Sequence, residues 1–78
     1  MMVVMKNIET VDGNIRADCF VEDSETVDFT LFLDPRVKTI LSNTRGCEDT
    51  YVAHAAYHLF KLCAESKEIP KETALVWY

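Results

Sequence analysis

Glycine and proline are scarce in this chain, two of each among 78 residues. That excludes linker-like and low-complexity composition. Long apolar runs are missing too. No uncharged stretch approaches the roughly 18 residues that a membrane-spanning helix requires. The apolar start, Met1 to Met5, reaches Lys6 and Glu9 too soon for a signal peptide and has no basic leader. A cytoplasmic protein is therefore expected. The three cysteines, Cys19, Cys47 and Cys63, are odd in number and far apart. They do not form the paired framework of a secreted miniprotein and are expected as reduced thiols packing as small hydrophobes. Bases are outnumbered, 8 Lys and Arg against 13 Asp and Glu, for a net charge of −5. Such a chain lacks the basic footprint of a phosphate-backbone binder, so neither nucleic acid nor membrane is an expected partner.

What remains is ordinary globular material: 49% hydrophobic and 27% charged residues. The length supports one domain, residues 1–78. A chain this small buries only about 60% of its unfolded surface, so oligomerisation would help it. Its charge is uneven. Residues 1–35 hold eight acids against two bases, whereas residues 36–78 hold five against six.

The first half reads as strands. Val3 to Val11 is rich in β-branched residues, and Asp12-Gly13 carries the strongest short hairpin signal. With Asp12-Gly13 as the two-residue loop, Glu9 faces Arg16, a favourable cross-strand pair. Taking Gly13-Asn14 instead would set Glu9 against Asp18. The first register, continued by strict alternation, assigns Val4, Ile8, Ile15, Ala17, Cys19 and Val21 to the buried face. It sets Met5 opposite Phe20 on the other. Val27, Phe29, Leu31 and Leu33 alternate in the same way and join the core. Glu22 to Thr26 reads as a solvated acidic loop, Asp34-Pro35 as a turn, and Val37 to Leu41 as a short fourth strand.

A helix is predicted from about Glu48 to Ser66, opened by the capping group Glu48, Asp49 and Thr50. At helical spacing Val52, Ala55, Ala56, Leu59, Leu62 and Cys63 form one apolar stripe, with Tyr51 and Phe60 at its margins. His54, His58, Lys61 and Glu65 fall on the opposite, solvated side. Thr73 to Tyr78 has strand composition and is expected to pair with the sheet. The predicted fold is α+β: an antiparallel meander of about four strands, one helix on one face, and a C-terminal strand.

Chemistry is thinly represented. His54 and His58, four apart on one helical face, could present two imidazoles to a metal, with Cys47 as a third ligand. No His-Glu-x-x-His motif or Cys-x-x-Cys pair supports this, and two solvated histidines are the plainer reading. Cys47, beside Arg45 and ahead of a helix, has the surroundings of a reactive thiol. A chain with two glycines offers little from which to build a nucleophile's cleft. Neither an enzyme nor a cofactor is expected. Apolar residues away from the helix, Met5, Phe20 and Phe32 together with Trp77, would instead form an exposed patch of the kind that marks partner surfaces.

One resemblance adds to this. His54-Ala55-Ala56-Tyr57-His58-Leu59, Glu68-Ile69-Pro70-Lys71-Glu72, the terminal Val76-Trp77-Tyr78 and the early Asp12-Gly13-Asn14 turn resemble short proteins encoded by phages and integrative elements of Firmicutes. The resemblance implies a small accessory protein with no assigned activity and brings no catalytic residues. It also implies a start near Met5, with Met1 to Val4 as an upstream extension. The expected function is a non-enzymatic protein-interaction or self-association module, with a metal- or thiol-dependent protein using His54, His58 and Cys47 as the alternative.

Overall fold

Four strands form the first half of the computed structural model, which describes residues 1–65 and 68–78. They are β1 (Met2–Val11), β2 (Asn14–Val21), β3 (Phe29–Asp34) and β4 (Thr39–Asn43), followed by helix α1 (Thr50–Glu65) and strand β5 (Thr73–Val76). The sheet is antiparallel, in the order β4-β3-β2-β1-β5, so the last strand joins the outer edge of the first. This is the α+β meander with one helix and a C-terminal strand that the pattern predicts.

The β1–β2 turn forms as expected. Asp12 and Gly13 both have positive φ, 53° and 83°, as a type I′ turn demands. A side chain at Gly13 would also come within 3.1 Å of the Arg36 guanidinium. Val11 pairs with Asn14 and Glu9 with Arg16, whose Nη2 lies 2.6 Å from Glu9 Oε1.

Strict alternation fails just before Glu9. Lys6 pairs with Asp18 and Glu9 with Arg16, so Asn7 and Ile8 together oppose Ala17 in a β-bulge. Asn7 takes the left-handed conformation at φ 54°, one that asparagine tolerates better than most residues, and its Nδ2 donates to Asp18 Oδ2 at 2.9 Å. One inserted residue transposes every side chain before it to the other face. Met5 therefore pairs with Cys19 and lies fully buried beside Val3, while Val4 pairs with Phe20 on the bare face. The expected exposure of Met5 and burial of Val4 are both reversed.

The core comprises Val3, Met5 and Ile8 from β1; Ile15, Ala17 and Cys19 from β2; Phe29, Leu31 and Leu33 from β3; and Val52, Ala55, Ala56 and Leu59 from α1. Val27, expected among them, precedes β3 and is 48% exposed. The fourth strand begins two residues later than predicted, because Pro35 to Lys38 form the turn between the paired Asp34 and Thr39. There Arg36 donates its backbone N–H and two guanidinium N–H groups to the Asp34 carboxylate, and those bonds hold that carboxyl below its ordinary pKa.

Asp49 caps α1 by accepting the Val52 N–H at 3.0 Å, and its carbonyl accepts the first helical bond, from Ala53. Partial burial opposes its ionisation, but the Val52 N–H and Arg45 outweigh that and keep its pKa low. Of the predicted apolar stripe, Val52, Ala55, Ala56 and Leu59 are buried, while Leu62 and Cys63 in the last turns are half-buried, as are Tyr51 and Phe60 at its margins. The predicted last helical residue, Ser66, lies outside the described residues. Strand β5 pairs Val76 with Met2, Leu75 with Val3, Ala74 with Val4 and Thr73 with Met5. The ladder extends beyond it: Trp77 N–H donates to Met1 O, and the Met1 ammonium to Trp77 O at 2.8 Å. The segment Met1–Val4 thus carries most of the pairing partners of β5.

Candidate interaction surfaces

The helix covers one face of the sheet, and among the described residues no helix or strand covers the other. Alternation places Val4, Lys6, Glu9 and Val11 of β1, Arg16, Asp18 and Phe20 of β2, and Thr30 and Phe32 of β3 on the bare face. Phe20 and Phe32 are half-buried by the long side chains around them. Lys6 reaches over the Phe20 ring, its Nζ 5.3 Å from the centroid and 3.7 Å from Glu72. Phe32 borders an open hollow of about 370 Å3 shared with Val11, Arg16, Thr30, Ser42 and Thr44. Val11 is 40% exposed and Val76, at the far edge of this face, 54%.

The bases on this face are matched locally. Lys6 meets Glu72, Arg16 meets Glu9, and Asp18 accepts hydrogen bonds from the Asn7 amide and the Thr30 hydroxyl. Asp18 has no cation among these partners, and Glu22 and Asp23 line a hollow with Val4, Lys6 and Phe20 at one end of the face, which therefore keeps part of the acidity of a chain of net charge −5.

Two of the four expected patch residues do not belong to it. Met5 is in the core for the reason given above. Trp77 lies on the helix side, because Leu75 and Trp77 continue the alternation of β5 toward α1. Its ring stacks on His54, with centroids 4.1 Å apart and planes inclined by 7°, and meets Tyr51 edge-on at 5.6 Å. Phe20 and Phe32 stay together on the bare face.

The histidines are not solvated as expected; both are half-buried. His54 Nδ1 donates to the Thr50 carbonyl at 2.8 Å while its ring lies against Trp77. His58 Nε2 lies 3.2 Å from Thr73 Oγ1, and burial, then Lys61, lower its pKa. Each imidazole thus has its own partner in or beside β5. Among the described residues no group of three or more His, Cys, Asp or Glu could hold a metal ion. Cys47 is exposed in the loop before α1. Cys19 is buried, and desolvation followed by the neighbouring Asp18 pushes its thiol up to about 12, which leaves it un-ionised.

A second surface went unnoticed in the sequence. Between α1 and β4 runs an open groove of about 570 Å3, with Ile40, Ala56, Phe60 and Tyr57 along it. Tyr57 lines it at 71% exposure, and Val37 and Leu41, next in sequence to the lining residues Lys38 and Ile40, are 67% and 47% exposed. The available signal was Tyr57, an aromatic residue standing outside the apolar stripe.

No family model matches the chain, and no curated protein or solved structure shows significant similarity to it. No helix among the described residues is long and apolar enough to cross a membrane.

Proposed function

We propose that this protein is a non-enzymatic interaction module of the cytoplasm, which takes a protein partner on the bare face of its sheet. One observation carries the reading: a sheet with a helix on one side only presents Phe20 and Phe32 on the other, within a face where Lys6 and Arg16 are paired with Glu72 and Glu9. Apolar patches framed by polar groups are the usual form of partner surfaces. Local charge matching lowers the desolvation and repulsion that would otherwise oppose docking on an acidic protein. The likeness of its C-terminal third to proteins of phages and integrative elements supports a role as a mobile-element accessory protein.

Affinity capture from the source cell, with the wild type and the Phe32→Lys variant side by side, tests this. Circular dichroism confirms that the variant is folded. The wild type should retain a defined protein that Phe32→Lys releases. Equal capture by the two would refute a role for this face.

A further inference from the structure

The edge of the sheet at β4 is built differently from the bare face, and its occupant can be argued from charge. Strand β4 has a neighbour, β3, on one side only, so its outer backbone groups are available for another strand. Beside that edge lies the groove under α1, with Tyr57 exposed along it, and Val37 and Leu41 are exposed on the same chain segment, next in sequence to its lining residues Lys38 and Ile40. Lys38 stands at the end near the later helical turns, where it also lines a smaller hollow with Phe60, Cys63 and Ala64. Glu48 stands at the other end, before the helix begins. Neither makes an ion pair within the chain among the described residues.

A groove with a cation at one end and an anion at the other complements itself under a two-fold axis. Antiparallel apposition of two β4 strands about Leu41 sets Thr39 of one copy against Asn43 of the other. The partner's Lys38 then arrives at the Thr44 end, which leads to Glu48, and the same contact repeats by symmetry. We infer that a second copy of this chain docks along β4 and the α1 groove, joining two five-stranded sheets edge to edge. The register irregularity at Leu41 shortens the shared ladder. The apolar contacts of Val37, Leu41 and Tyr57 and the two Lys38–Glu48 pairs therefore carry much of the association, which is moderate and concentration-dependent. Such a dimer sets two bare faces side by side in one extended surface. The inference rests on the reading of the protein as an interaction module, but it uses a different surface, so the two fail separately.

Sedimentation velocity on the full chain from about 1 to about 100 µM provides the test, since dimerisation follows mass action. The wild type should pass from monomer to dimer across this range. Lys38→Glu or Glu48→Lys alone sets like charges together twice per dimer and should weaken association about tenfold or more. The double exchange should restore it, and Phe32→Lys should leave it unchanged. A chain monomeric throughout would overturn the inference and leave the groove to another protein's strand. Single and double exchanges without effect would overturn it equally, as would a dimer abolished by Phe32→Lys, which would place the contact on the bare face.

Discussion

The two edges of this sheet are closed to very different degrees. At the β5 edge, four residue pairs with β1, two further backbone bonds between Met1 and Trp77, the His54–Trp77 stack and the His58–Thr73 contact all converge. Both ends of the chain are secured there, and the helix supplies side chains to the outermost strand. At the β4 edge the helix stands off. It leaves a groove with Tyr57 exposed along it, and β4 is held by its four residue pairs with β3 and by a turn stiffened by Arg36 and Asp34. One helix cannot cover five strands, and here its polar flank is spent on β5. Both edge strands have a strand neighbour on one side only, so the asymmetry lies in the helix side chains that brace β5 and leave β4 unsupported.

Mutations that strike what the edges share should have the largest effect. Leu59 is fully buried between α1 and the sheet, and Leu59→Ala should cost about 2–5 kcal/mol in urea denaturation. The next experiment separates the edges. Trp77→Ala removes the ring held by His54 and Tyr51 and should cost about 1–3 kcal/mol. Tyr57→Ala at the open edge should stay within about ±0.5 kcal/mol at concentrations where the protein is monomeric, because that ring is 71% exposed. Equal losses at Trp77 and Tyr57 would erase the distinction.

Short-range features of this architecture were legible in the residues. Asp12-Gly13 specifies its turn through φ, the Glu9–Arg16 pair selects the register next to it, and the apolar spacing from Val52 to Leu59 phases the helix. The bulge was not, because it is one residue of excess in a long strand. Its traces are an asparagine inside a β-branched segment and a change of apolar spacing, from Val3 and Met5 at two residues to Ile8 at three. Reading through it at constant period inverted everything toward the N-terminus, which is how Met5 entered the expected patch. Phe20 and Phe32 survived because they lie on β2 and β3, whose pairing has no bulge. The histidines were misplaced for another reason. A helical wheel records which side faces the sheet beneath, and an edge strand packed against the helix flank is invisible to it. The open groove was missed because it depends on where the helix stops short of β4, which no local pattern encodes.

His58 provides the smallest and most diagnostic test of the sealed edge. Burial, reinforced by Lys61 and opposed by Glu65, lowers its pKa below the ordinary 6.5. The neighbouring strand β5 contributes the neutral Thr73 hydroxyl. Above pH 6.5 the imidazole is neutral in both folded and unfolded chains, and its contribution to stability is fully present. As pH falls through 6.5 toward the lower folded value, the unfolded chain takes up a proton that the native state resists, and stability declines. Urea denaturation of the wild type at pH 7.5 and 5.5 should therefore show a loss on acidification that is smaller in His58→Gln, which cannot titrate there. The carboxylates titrate in both proteins, so the difference between them isolates the imidazole. Identical losses would mean that His58 is as solvated in the native state as in the unfolded one, and that helix and β5 are not joined there.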